Sequence, residues 1–373
     1  MNEYDVIIVG AGPTGSTSAM KCAMNGLKTL FIEEHIDVGL PQHCSGWLSG
    51  SPYTERLIKT IPENLILQKV TGWRIWSPKG KMICEIDDEG KGFGGWFVNR
   101  SEFDKHLAKE AVRAGAQISV GTKFIDLIIK EGTIVGIKVK RRGKIEDIYS
   151  KIVIGADGSK SIPMGVALKS ELPKLNRKPK FYYPGVQYEF INIRDMTPGV
   201  IEIFFGEIFD EVFKMAFVSP FSVDNAYIGF GKHSDYENVR KNHPILKERL
   251  VNANIIRKMG GLYGVPLNVP LKKVSRTGLM LAGDAAGLHG IINGMICAEI
   301  CAKAVIEALK NGDVSEQYLQ KEYDRELKRN SVSKVSIGYD MSKFSDEGIE
   351  KLLNDQGQKI TEFMLNGISK FDI

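Results

Sequence analysis

No apolar run in this 373-residue chain is long enough to cross a bilayer. Each is cut by glycine or charge short of the roughly 20 residues a spanning helix needs. Cysteine is scarce: Cys22, Cys44, Cys84, Cys297 and Cys301 are odd in number and irregular in spacing. That excludes a disulfide framework and a CxxC metal pair, and leaves an iron–sulfur cluster without ligands. No metal site is expected, and a reducing, cytoplasmic setting is the simplest reading. Nothing basic precedes the strand-like run at 4–9, so no signal peptide is expected. Neither sign of charge dominates: 50 Lys and Arg stand against 45 Asp and Glu, for a net charge of +5. The basic residues are dispersed and carry no recognition motif, which excludes nucleic acid as a partner. Peripheral contact with an anionic membrane surface stays open. Repeats and low-complexity tracts are missing too.

What is present suffices for a large core, since 43% of the residues are hydrophobic, and the length suggests two packed lobes. The run YDVIIV at 4–9 reads as a buried parallel strand. A glycine turn, a helix over 14–25 stopped by Gly26 and a strand over 27–33 follow. Residues 39–52 read as an irregular loop and 70–98 as strands and turns. Ser101 is expected to cap a helix over 102–114, with Asp104 at its third position. Residues 117–155 read as a meander ending in a buried strand. The stretch 163–184, with four prolines and five basic residues, looks like a crossing between lobes. Period-two alternation follows in Val186, Tyr188, Phe190; Ile201, Ile203, Phe205; and Phe213, Met215, Phe217, predicting an antiparallel sheet with one apolar face. Residues 236–260 are predicted helical, 279–282 a buried strand, about 294–310 a helix, and 315–373 a charged amphipathic helical tail.

The strongest motif is Gly10-Ala-Gly12-Pro13-Thr14-Gly15, which leaves an apolar strand and opens a helix, with Glu33 ending the next strand. This is the full context of a dinucleotide fingerprint. Gly10 permits the tight turn, Gly12 lets backbone approach a pyrophosphate, and Gly15 lets helix and strand pack closely. The helix N-terminus then faces the phosphates. Glu33, with Glu34 beside it, would accept hydrogen bonds from the adenosine ribose, and its charge disfavours a 2′-phosphate there. The fingerprint alone does not separate FAD from NAD.

Three further segments carry a resemblance. They are FVNRSEFDKHLAKEA around Arg100, IVIGADGSKS around Asp157 and Gly158, and GLMLAGDAAG around Gly283 and Asp284. With the fingerprint they make the chain, over roughly 1–310, similar to the flavoprotein hydroxylase and geranylgeranyl reductase superfamily. The resemblance implies one non-covalently bound FAD. It implies contacts from Arg100, from the central DG motif (Ala156, Asp157, Gly158) and from Gly283, Asp284 and Gly287. It extends to Cys44, Gly46, Phe124, Gly294 and Met295. A helix starting near Gly294 would aim its positive end at the flavin edge that becomes anionic on reduction.

The reductase branch is pointed to by Gly39-Leu-Pro41-Gln-His43-Cys44-Ser-Gly46, which resembles the branch's glycine, proline and cysteine loop over the flavin. Cys44, His43 and His289 are the candidate proton donors. Phe205, Phe213, Met215 and Phe217 are the candidate lining of an apolar substrate tunnel, resembling the family's Tyr-x-Trp-x-Phe-Pro strand. The chain departs from the family after GDAAG: Leu288-His289-Gly290 replaces an Asn-Pro and glycine run, which puts the substrate in question. The implied fold is α/β: a Rossmann-type FAD-binding lobe (1–160 and 270–312) interleaved with an antiparallel-sheet substrate lobe (161–269), plus a helical C-terminal segment (313–373). The implied function is reduction of C=C bonds in a geranylgeranyl or other polyprenyl chain, a hydrophobic isoprenoid substrate. The electron donor would be NAD(P)H or reduced ferredoxin. Lys169, Lys174, Arg177, Lys178 and Lys180 would meet phosphates or a membrane surface. The alternatives are an FAD-dependent monooxygenase of an aromatic ring and an electron-transfer flavoprotein serving a quinone.

Overall fold

The computed structural model describes residues 4–87, 94–159, 181–230, 233–265, 271, 273–329 and 343–369. The basic cluster at Lys169–Lys180 lies outside them. Strand β1 (Tyr4–Val9) is at the centre of the first sheet, with Val6, Ile7 and Ile8 fully buried. It runs parallel to β2 (Thr29–Ile32) on one side and β11 (Lys144–Gly155) on the other. The sheet order is β17-β18-β11-β1-β2-β8, with β8 (Gln117–Ser119), β17 (Ser275–Arg276) and β18 (Leu279–Leu281). The long β11 also pairs with β10 (Thr133–Arg141), which pairs with β9 (Thr122–Lys130). Helix α1 (Pro13–Met24) connects β1 to β2 and packs against α3 (Arg100–Arg113) and α6 (Ile291–Asn311), and α7 (Glu316–Arg329) packs on α6. Helix α6 starts three residues before the expected Gly294, capped by Gly290 at φ +101°. Ser101 does not cap α3. Asn99 holds that position without a side-chain cap bond, and the Ser101 hydroxyl donates to Asn99 Oδ1 instead.

The second sheet is seven-stranded, in the order β16-β12-β15-β14-β13-β5-β6. Its strands are β5 (Gly72–Trp76), β6 (Met82–Asp87), β12 (Phe181–Ile191), β13 (Val200–Phe205), β14 (Met215–Pro220), β15 (Asn225–Phe230) and β16 (Asn254–Val265). Thus β5 and β6, inside the 1–160 stretch, pair into this sheet, and β5 runs parallel to β13. The expected helix over 236–260 is only partly helix: α4 (His233–Asn242) and the short α5 (Leu246–Arg249) give way to β16. Pro244 stands between the helices, and from Asn254 on the backbone bonds to β12. A three-stranded sheet of β3 (Trp47–Leu48), β7 (Trp96–Val98) and β4 (Ile66–Lys69), preceded by α2 (Pro52–Ile58), joins the two large sheets.

The seven-stranded sheet has two working faces, not the single apolar face expected. Register decides this. Ile203 lies opposite Phe217, Phe217 opposite Gly229, Gly229 opposite Gln187, and Gln187 opposite Met259. Tyr188 and Phe190 therefore point the other way. They pack with Phe204, Ala216, Val218, Ile228 and Phe230 under Tyr236, Val239 and Leu246 of α4 and α5. This outer core also buries an ion pair, Arg249 to Glu202 at 2.8 Å, with Trp76 Nε1 donating to the second carboxylate oxygen at 2.6 Å. The inner face splits in two. Trp73, Ile86, Ile201 and Ile203 pack on Phe97 and Trp47 of the small sheet. Ile75 packs on Ile349 and Leu353 of α8 (Asp346–Ser369).

Candidate functional site

The carboxyl ends of β1, β2, β11 and β18 converge on the glycine turn, where an open α/β sheet binds its ligand. Gly10 has φ +102°, and a Cβ there would lie 2.5 Å from Ala156 O. A Cβ on Gly15 would lie 1.8 Å from Gly10 O, so only glycine lets α1 start here. A Cβ on Gly12 would meet nothing within 4 Å. Backbone N–H groups at the start of α1 therefore face open space, with no acidic residue in the first turn. Glu33 turns inward: its carboxylate accepts from Ala11 N at 3.2 Å and lies 2.7 Å from His35 Nδ1. Glu34 turns outward to Lys123 at 3.0 Å. Phe124 is buried in the core opposite Val139.

Thr14 is the pivot between two elements. Cβ atoms on Gly283 and Gly294 would lie 2.6 Å and 2.5 Å from its Oγ1. The amino ends of α1 and α6 are thereby brought side by side, with Met295 buried beneath. Asp284, in the short turn Gly283–Ala286, has Oδ1 3.4 Å from His289 Nδ1, and Gly287 ends that turn at φ +80°. Asp157 and Gly158 follow β11 on the same edge, with Ala156 N bonded to Val9 O at 2.9 Å. Gly283 N donates to Cys297 Sγ at 3.3 Å and Cys301 Sγ donates to Leu281 O at 3.2 Å, so both thiols are buried core groups.

The loop after β2 carries Cys44 across this edge. Gly39 and Gly46 pin its ends: Cβ atoms there would lie 2.5 Å from Ser101 O and 2.3 Å from Val98 O. Arg100, at the start of α3, donates to Asp104 through Nε (2.7 Å) and Nη2 (3.1 Å), and Nη1 reaches Cys44 Sγ at 2.8 Å. Burial pulls the guanidinium toward neutrality, but Asp104 and Cys44 outweigh it and hold Arg100 above its ordinary range. Burial raises the Asp104 carboxyl, against the opposing pull of Arg100. His43 is exposed, and its Nδ1–H donates to Gly260 O of β16 at 3.2 Å.

Of the four expected tunnel residues, the structure places three on the inner face. Phe205 lies opposite Met215, and Phe217 is 40% exposed. Phe213 is not among them: β14 starts at Met215, after Lys214 at φ +49° and a turn in which Phe213 N donates to Asp210 Oδ1. Sequence reasoning missed the polar half of the inner face. Ser219, Tyr227, Glu189 and Arg257 lie in one row across β14, β15, β12 and β16, beside Gln187. Their signal was available, since Gln187 and Glu189 alternate with Val186, Tyr188 and Phe190 at the same period of two. Burial, then the charge of Glu189, pushes the Tyr227 phenol up to about 12.

Residues 5–161 match the family described as FAD dependent oxidoreductase. A digeranylgeranylglycerophospholipid reductase of Thermoplasma acidophilum is 31% identical, over 96% of this chain and 93% of its own. One from Methanocaldococcus jannaschii is 32% identical, over 96% and 91%. The chain belongs to the digeranylgeranylglycerophospholipid reductase family. It is similar to a crystal structure described as geranylgeranyl bacteriochlorophyll reductase-like, also from T. acidophilum, with TM-score 0.78 and 27% identity, covering 94% of this chain and 90% of that one. A flavin-dependent brominase at 19% identity and TM-score 0.68, covering 99% and 94%, shares the fold. As a member of this reductase family the protein is an FAD-dependent oxidoreductase. The residues fit FAD: open space lies at Gly12, two helix starts without acidic first turns stand side by side, and the Glu33 carboxylate is held at the glycine turn by Ala11 N.

Proposed function

We propose that the protein saturates carbon–carbon double bonds in the geranylgeranyl chains of a glycerophospholipid. Bound FAD supplies the hydride. The observation that carries this reading is the inner face opposite the Cys44 loop. Met215, Phe217 and Met259 stand there beside the side-chain-free positions Gly185, Gly229 and Gly261, with the Gln187 side chain lying against Gly229. Bare backbone beside aromatic and thioether side chains suits an extended isoprenoid. An isolated alkene offers nothing to polarise, so the protein's task is alignment, exclusion of water and one placed proton. In this reading the backbone at Gly12 and the start of α1 hold the pyrophosphate, Glu33 the ribose, and Arg100, Asp157 and Asp284 the remainder. Cys44 is the preferred proton-handling group, because Arg100 holds its sulfur at the junction of the two lobes. His289 is second, beside Asp284. His43, turned to backbone on the surface, is third.

The substrate resides in a bilayer, and among the described residues no helix is long and apolar enough to cross one. The protein would therefore meet its lipid at the membrane surface. The test is anaerobic: reduce the flavoprotein with dithionite, add a geranylgeranyl glycerophospholipid in vesicles, and follow flavin absorbance and product mass. Reoxidation with two hydrogens gained per bond is expected, together with co-sedimentation on those vesicles. A flavin that reoxidises only with dioxygen, leaving the lipid unchanged, overturns the reading.

A further inference from the structure

Cys44 is gripped from both lobes. Arg100 holds its sulfur from the nucleotide side. On the other side Gln42, which is 7% exposed, donates from Nε2 to the Cys44 carbonyl at 2.9 Å. Gln42 Oε1 accepts from Arg257 Nη1 of β16, and Arg257 Nε lies 3.2 Å from Glu189 Oε2 of β12. Tyr227, buried on β15 with its ring 4.8 Å from Phe221 and tilted 36° to it, lies against Gln42, whose amide opposes the rise of the phenol.

This arrangement removes the usual ambiguity of an amide. A guanidinium only donates, so Gln42 must present its oxygen to Arg257 and its NH2 group to Cys44. Glu189 fixes the guanidinium, and the guanidinium fixes the amide. The amide in turn fixes the backbone on which the thiol is mounted. We propose that Gln42 is the positioning residue for Cys44, and that the Glu189–Arg257 pair sets its orientation. The inference rests on the reading of Cys44 as the proton-handling group. It adds that the substrate sheet, through three side chains, dictates where that thiol stands.

A residue that merely tied the lobes together would work as well with a carboxylate, since Gln42→Glu keeps, and strengthens, the partner for Arg257. A residue that aims Cys44 needs the NH2 donor, which both Gln42→Glu and the near-isosteric Gln42→Met lack. The experiment uses the FAD-loaded full chain and reads three quantities: FAD affinity, lipid-driven reoxidation, and the pH-dependent rate of Cys44 alkylation by iodoacetamide, followed on the Cys44 peptide by mass spectrometry. Both variants are expected to keep FAD affinity within about twofold. Misplacement of a reacting group on the ångström scale predicts reoxidation slowed about 10- to 100-fold, with the alkylation profile displaced from that of the wild type. Wild-type reoxidation and alkylation in Gln42→Glu would overturn the proposal, as would FAD affinity falling in step with activity in both variants. Cys44→Ser separates the two readings. Full activity in that variant removes Cys44 from the chemistry, and the alkylation profile of Gln42→Glu then decides the positioning alone.

Discussion

Gly12 and Gly15 stand three residues apart and answer to different demands. Gly15 is needed by the fold, because its Cβ would enter the Gly10 carbonyl. Gly12 borders open space, so its demand comes from what occupies that space. Gly15→Ala is therefore expected to destabilise even the FAD-free protein, by about 1–3 kcal/mol as an overpacked contact, seen as a lower thermal midpoint. Gly12→Ala should leave that midpoint unchanged and weaken FAD binding in titrations of tryptophan or flavin fluorescence. These glycines were legible in the sequence because strand, turn and helix are adjacent along the chain. Gln42, Tyr227 and Arg257 were not, although each is plain to see as a letter. Their meaning lies in the register of strands far apart in sequence, and no local pattern records it. Glu34, read together with Glu33, lacked the same information: adjacent side chains at a strand end leave in opposite directions.

Among the elements, α5 depends on a histidine. His243 Nδ1 accepts from Ile245 N at 3.1 Å and Leu246 N at 3.0 Å while its ring packs against Phe204 and Phe209. An acceptor at Nδ1 means the proton sits on Nε2, so charging the ring destroys both bonds. Burial, aided by Arg249, lowers its pKa to about 4 from an ordinary 6.5. The unfolded chain thus takes up this proton first. The contribution of His243 to stability is full above about pH 6.5 and is lost as pH drops toward 4, about 3 kcal/mol in all. His243→Asn keeps an acceptor without a titration, so its thermal midpoint should vary less between pH 7 and 4 than that of the wild type. The C-terminal α8 is held otherwise. Lys214 Nζ reaches Glu207 at 2.9 Å and Phe344 O at 2.6 Å, while Leu353, 1% exposed, packs by Ile75. Leu353→Ala removes buried volume worth about 2–5 kcal/mol. It should make the tail more sensitive to limited proteolysis with FAD binding unchanged. The sequence reported α8 correctly as amphipathic helix, yet 254–260 misled. Ile255, Ile256 and Met259 have helical spacing, but the register shift between Glu189 and Phe190 absorbs the extra residue as a bulge, and the segment is strand.

On the scale of the whole molecule, the candidate flavin site draws on residues from Gly10 to Gly294, and no short contiguous fragment contains all of them. The first sheet takes its fifth parallel strand, β18, from residue 279 onward, and the second sheet takes β5 and β6 from before residue 88. Two lobes so interleaved are expected to melt as one, and FAD at 100 times its dissociation constant should stabilise both by about 2.7 kcal/mol. A single calorimetric transition that moves upward with FAD is the expected record. The fold class was legible because each layer announces itself by its period, whereas the exchange of strands between lobes depends on pairings that periodicity does not encode.

The parallel pairing of β5 with β13 also has a consequence for biosynthesis. Trp73 and Ile75 leave the ribosome well before Ile201 and Ile203, their neighbours in the finished sheet. Through that interval the β5–β6 hairpin presents an unpaired edge, a feature that recruits wrong partners. Ile75 waits longer still, because Ile349 and Leu353 follow far later in the chain. The nascent chain thus carries an aggregation-prone edge until β13 has been made, and its yield should depend on chaperones and on translation speed more than its finished stability suggests.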